Sequence, residues 1–341
     1  MKVKKFLLPT AVVLMTVAGI GWLQIGRAQQ GITESTPLSD AAGKQKATEV
    51  VKGWKSYLRQ FKTVEMSWMT EYQPVQANGE AVTDNENKSD AEGEITSIQG
   101  KGKTSFLLDG NKHRSDLWDI GTNTVEPQTI SVFDGTYFHQ LRGGFSLRTF
   151  SGDLKHSPYE RTPPFIDIFS FTLDLKKMPS VTLPALQSDN LWSDFLKNVK
   201  EVSRELRDGR KGTKLIVDNA EQPVSFEIWV DDEYALPTQW KTIEKKTGEL
   251  VANGSVVEFF LAENPANAEA PILLPAKIVS FYERGGKRNR ITLDVDTKTL
   301  KINEAIGMGK IMIPFGKAKL SIDSMGRQKR LDVPDPGSLQ R

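Results

Sequence analysis

The sequence predicts a mainly β, α+β fold. Its centre is a strongly curved antiparallel sheet, or half-open β-barrel, with an N-terminal helix and a helical lid insert. Three observations predict it. From residue 200 onward, short apolar-alternating runs follow one another, most joined by Gly, Asp or Asn turns. One segment near the start switches to the 3.6-residue period of an amphipathic helix. Between two sets of strands, residues 157–199 are rich in aromatic and aliphatic side chains but do not alternate. A sheet of this many strands curls or closes, because a long flat sheet exposes its edges and twists poorly.

In chain order, "MKVKK" is a short basic start, and "FLLPTAVVLMTVAGIGWLQIG" is an apolar run that ends near the small residues Gly26 and Ala28. Residues 1–28 read as a secretory signal cut after Ala28, or as an uncleaved anchor given the length of the run. In both cases Lys2, Lys4 and Lys5 stay inside and the remainder lies in the periplasm or another extracytoplasmic space. Membrane contact is then expected only through an uncleaved N-terminus. Residues 29–46 are small and polar and are expected to be a linker. Beyond it, residues 47–325 are expected to form one domain, with the insert at 157–199, followed by a basic tail at 326–341.

Within the domain, "ATEVVKGWKSYLRQFKTV" places Val50, Val51, Trp54, Leu58 and Phe61 on one helical stripe. In "VEMSWMTEY" the period becomes two, with Val64, Met66, Trp68 and Tyr72 on one face. Residues 75–98 are polar and acidic and read as a long exposed loop. "GKTSFLLDGNKHRSDLWDI" and "QTISVFDGTYFHQLR" are strand–turn–strand units with turns at Asp109-Gly110-Asn111 and Asp134-Gly135. In the insert, Pro163-Pro164 opens a short helix and "SDNLWSDFLKNV" forms another. Further strands are expected near 200–207, 213–218, 224–231, 237–245, 251–261, 276–284, 289–296, 299–303 and 310–314.

Composition excludes several functions. With 45 basic and 43 acidic residues the net charge is +2, so no basic excess marks a nucleic-acid surface. There is no cysteine, hence no disulfide, no thiol chemistry and no acylation site of a lipoprotein. His113, His139 and His156 lack a second ligand at metal-binding spacing, so no metal and no cofactor is implied. Asp231-Asp232-Glu233 sits in a strand-to-strand turn, where Asp bonds the local backbone, and Asp294/Asp296 alternate as a wetted face would. No nucleophile motif or phosphate loop is present. A non-enzymatic protein is therefore expected. An all-β hydrolase would require the acidic clusters to converge in a cleft.

Aromatic residues carry the stronger signal. Trp54, Trp68, Trp118, Trp192, Trp229 and Trp240 all fall on predicted elements. They are read first as core, and second as the lining of an apolar cavity under a curled sheet. The candidate lining is Met66, Trp68, Phe106, Leu108, Trp118, Phe226, Ile228 and Val230. The candidate lid is Phe165, Ile166, Phe169 and Phe171.

The helix "ATEVVKGWKSYLRQFKTVEMSW", the strands "KTSFLLDGNKHRSDL" and "SVFDGTYFHQL", and the unit "FEIWVDDEYALPTQWKTIEKKTGE" together resemble the periplasmic lipoprotein-carrier superfamily of LolA, LolB and RseB. In that unit a strand ends in Asp, Leu-Pro follows, and a second strand leaves. "LLPAKIVSFYERGGKRN" repeats the style. The resemblance spans roughly residues 47–320 and is one of fold. It implies a half-open barrel closed by helices around a space for lipid or lipoprotein acyl chains. The same fold serving as an envelope sensor or scaffold for another protein is the alternative.

Overall fold

The computed structural model describes residues 32–75, 100–119, 125–143, 146–151, 162–169, 171, 183–207, 209–265, 271–284, 287–307, 309–314, 320–322 and 328–330. The expected signal at 1–28, all but Val75 of the loop expected at 75–98, His156 and the tail beyond residue 330 lie outside these residues, as do parts of the insert.

The chain begins with a strand, β1 (Ile32–Pro37), and a helix, α1 (Asp40–Leu58). Six strands follow: β2 (Thr63–Val75), β3 (Gly100–Asp109), β4 (Lys112–Asp119), β5 (Thr129–Phe133), β6 (Tyr137–Arg142) and β7 (Ser146–Ser151). The insert holds α2 (Pro164–Asp167), α3 (Leu183–Gln187) and α4 (Asp189–Asn198). Then come β8 (Val199–Arg207), β9 (Arg210–Val217), β10 (Val224–Asp231), β11 (Pro237–Glu244), β12 (Leu250–Ala262), β13 (Ile272–Arg284) and β14 (Lys287–Val295). Three short strands close the series: β15 (Lys301–Ile302), β16 (Leu320–Ile322) and β17 (Gln328–Arg330).

The seventeen strands among the described residues all belong to one sheet. Its spatial order is β1, β8 through β14, β2 through β7, β16 and β17, and β15 takes over from β14 along the lower half of β2. Every pairing is antiparallel except β7 with β16. The edges are β1 and β17, so the curved sheet is not closed into a barrel. Register shifts in β12 between Val256 and Phe259 add local bends.

One apolar cluster ties the helices to the concave face. From α1 it takes Ala47, Val51, Trp54, Tyr57 and Leu58, spaced by three and four residues as one helical stripe requires. The insert contributes Phe165, Phe169, Leu186, Trp192 and Phe195, and the wall contributes residues of β2, β3 and β8 through β15. Ion pairs and half-buried polar residues occupy much of the convex face, for example Arg207 and Lys214 on Glu205.

Three expectations are corrected. The stretch read as a linker, 29–46, instead carries β1 and the first turns of α1. β1 is a polar edge strand, fixed by its ladder to β8 rather than by a buried face. Residues 310–314 form no strand. They cross the convex face, where Arg114 donates to the carbonyls of Lys310 and Met312 at 3.2 and 3.0 Å. Within the expected tail, Gln328–Arg330 pairs with β16 as a short hairpin arm.

Candidate functional site

In an antiparallel ladder, directly paired residues project on the same face. Register therefore decides which side chains meet on the concave side. Across β2 and β3, Val64, Met66 and Trp68 pair with Leu108, Phe106 and Thr104. On the other arm Phe226, Ile228 and Val230 alternate inward along β10. Of the eight candidate lining residues, seven (Met66, Trp68, Phe106, Leu108, Phe226, Ile228 and Val230) join the central cluster. All four candidate lid residues, Phe165, Ile166, Phe169 and Phe171, join it too.

Trp118 does not. It pairs with Lys103 on the convex face, and the Lys103 ammonium lies 5.7 Å from its ring centroid. Its neighbour Leu117, paired with Thr104, takes the inward position. Both residues are apolar, so alternation alone could not set the phase of β4.

The insert occupies the concavity. Trp54 of α1 is fully buried at the centre of a ring cluster, with Phe169, Phe171, Trp192 and Phe195 at centroid distances of 5.6–5.7 Å. Phe165 stacks on Phe61 at 4.3 Å. α2 lies against β13, and α3 and α4 lie against α1. Lys55 of α1 pairs with Asp189 at the start of α4. Space that a container would offer to a ligand is thus filled by the protein's own rings.

Polar groups sit in this seam at some cost. The indole Nε1 of Trp54 and the hydroxyl of Tyr57 have no hydrogen-bond partner among the described residues, which costs each its hydration without replacement. Burial raises the Tyr57 hydroxyl well above its ordinary value. Asp167, the last residue of α2, has its carboxyl pushed up to about 7 by burial. Sequence reasoning missed Asp167 and Tyr57. The signal for Asp167 was a single acid within the apolar run "PFIDIF".

Two cross-strand rows of the concave face gain polar side chains from β2 to β7, whereas a third, Val64, Leu108, His113, Phe133 and Phe138, stays largely apolar and aromatic. One cross-strand row runs Met66, Phe106, Ser115, Ser131, Gln140, Arg148. The adjacent row runs Trp68, Thr104, Leu117, Thr129, Arg142, Ser146. Thr104, Ser115, Thr129, Ser131 and Gln140 are all buried. These residues look like wetted positions in the sequence, and nothing in its pattern marks them as buried.

The acidic clusters serve the turns. Asp231 accepts from the backbone N–H groups of Glu233 and Tyr234 at 2.9 and 3.1 Å and pairs with Arg210 at 2.7 Å. Asp294 faces Lys277, and Asp296 accepts from the N–H of Lys298. His113 is packed among Phe106, Phe133 and Phe138. His139 lies between Thr149 and Asp134. Among the described residues, no group of three or more His, Asp or Glu could hold a metal ion. A cleft of about 230 Å³ exists on the convex face, between Arg114, Asp116, Ile130, Leu141 and Pro314, on the opposite side of the sheet from the seven inward lining residues.

No protein-family model and no curated protein matches the chain. Solved structures are similar in backbone path. One is a DUF1329 family protein from Desulfovibrio piger, 11% identical, with 79% of this chain and 97% of that chain covered and a TM-score of 0.46. Another is a LolA superfamily protein from Nitrosomonas europaea, 10% identical, with coverages of 79% and 98% and a TM-score of 0.43. A third is an outer membrane lipoprotein-sorting protein domain from Vibrio parahaemolyticus, 10% identical, with coverages of 79% and 97% and a TM-score of 0.42.

Proposed function

We propose that this protein is a non-enzymatic, extracytoplasmic container for the acyl chains of a lipid or lipoprotein, held shut by its own insert. One observation carries the reading. The concavity is filled by rings of the insert, and the seam around them holds a half-buried carboxyl and two buried polar groups without hydrogen-bond partners among the described residues. A permanent core has no use for such groups, because each weakens it. A plug that leaves when apolar cargo arrives tolerates them. Burying an acyl chain in its place gains about 0.8 kcal/mol per methylene. The apolar N-terminal run supports an extracytoplasmic location.

A filled interior also favours a second reading, an envelope sensor or scaffold that binds another protein through the same fold. Locking the plug separates the two. The chain has no cysteine, so a Lys55→Cys/Asp189→Cys variant carries one thiol pair only, at the contact between α1 and α4. Bridging it with a short bis-maleimide should abolish uptake of a fluorescent fatty acid that the unbridged variant accepts. Equal uptake by both forms would show that the insert does not gate an interior, and no uptake by either would favour the scaffold.

A further inference from the structure

We propose that the convex face of β4–β7 is a docking groove for an extended peptide segment of another protein, and that residues 309–314 fill it as an intramolecular stand-in. The groove lies on the opposite side of the sheet from the container, so either can fail without the other.

Register puts an apolar patch on this outer face. Ile130 pairs with Leu141 and Leu141 with Leu147, and Val132 lies beside them. The strap covers the patch as an extended peptide would. Ile313 is buried in the cluster and Ile311 packs against it, while Met312 between them is 57% exposed. Arg114 is held by Asp116 through two bonds of 2.8 Å, and it donates to the carbonyls of Lys310 and Met312 at 3.2 and 3.0 Å. Main-chain bonds of this kind accept any extended backbone, and alternate side chains supply the specificity. Glu65 pairs with the Lys310 ammonium at 3.0 Å. The partner's chemistry follows: a basic residue, then aliphatic residues at alternate positions.

Two observations mark the strap as a stand-in. Among the described residues it joins no strand ladder. It is held by two isoleucines, one guanidinium and a partly exposed ion pair of the kind that contributes little. It also fits incompletely. The 230 Å³ cleft beside Pro314 is lined by Ile130 and Leu141, which belong to the same cluster as Ile313. Apolar lining without partner atoms forfeits contacts, so a peptide that fills the cleft as well outcompetes the strap.

The test uses three labelled peptides, read by fluorescence anisotropy. One is MGKIMIPFG, the sequence of residues 308–316. The second has Leu at the position of Pro314, to fill the cleft, and the third has Ser for both isoleucines. Ile311→Ser/Ile313→Ser in the full-length protein loosens the strap. It should bind the first peptide at least about tenfold more tightly than wild type does, because apparent affinity scales with the fraction of open groove. The leucine peptide should bind about tenfold more tightly again, the step expected of burying one more aliphatic side chain, and should speed hydrogen exchange of residues 309–314 in the wild-type protein. The serine peptide should not bind. No binding to either protein, or equal binding of all three peptides, overturns the groove. Unchanged strap exchange in wild type at saturating leucine peptide overturns the stand-in and makes the strap a fixed part of the wall. If the double variant fails to fold, the leucine peptide on wild type decides by itself.

Discussion

Replacing Asp167 with Asn should flatten the pH dependence of stability. The carboxyl ordinarily titrates near 3.8, and burial in the plug raises it to about 7. The packed state therefore binds a proton that the unfolded chain has already released. Its stability is whole below the ordinary value, declines as pH rises toward the raised one, and stays reduced above it. Each pH unit in that window is worth 1.36 kcal/mol. Between pH 5 and pH 8 the wild-type protein should thus lose up to about 2.7 kcal/mol through this group. Asp167 keeps some exposure to water, which screens the effect, so about 1–2 kcal/mol is expected. Urea denaturation at pH 5, 6, 7 and 8 measures it in both proteins, and groups common to both cancel in the difference. The Asn variant should be close to flat relative to wild type, and more stable than wild type at pH 8. Parallel curves would mean that Asp167 is hydrated in the folded protein and that the plug is not weakened by a buried acid.

Three further substitutions probe the wall, the helix α1 and the outer strap. A Cβ on Gly254 would lie 2.3 Å from the Trp240 ring, so Gly254→Ala should cost about 1–3 kcal/mol by thermal denaturation. In contrast, Gly53→Ala in α1 meets nothing within 4 Å and should stabilise by roughly 0.5–1 kcal/mol through helix propensity. Arg114→Ala should speed hydrogen exchange across residues 309–314, where it holds the carbonyls of Lys310 and Met312, while the amides of α1 are unaffected.

Much of the wall was legible in the sequence because its strands bury one face. "SFEIWVD" alternates as β10 does, and the Asp-Gly and Asn turns sit where hairpins close. The central cluster was legible for the same reason, since large apolar residues at period two or 3.6 have one place to go. Failures came where burial and polarity part company. β1 reads as a linker because "ITESTP" is a polar edge, held by backbone ladder bonds that leave no side-chain pattern. Trp118 was assigned inward because Leu117 beside it is apolar too, and only pairing with β3 fixes the phase. Ser115, Ser131 and Gln140 look solvated, yet curvature and the register of five strands bury them. Such placement depends on residues far apart in the chain. The insert's apolar content was visible, but its position inside the concavity is a tertiary outcome of Trp54 meeting Phe169, Phe171, Trp192 and Phe195.

The most direct measurement is native mass spectrometry of the protein purified from the envelope fraction, followed by organic extraction and mass analysis of what is released. A container for acyl chains predicts a co-purifying lipid or lipidated species of defined mass, or stoichiometric uptake of a fatty acid by the emptied protein. Protein that is folded, free of lipid, and unable to take up a fatty acid at any pH between 5 and 8 would contradict it.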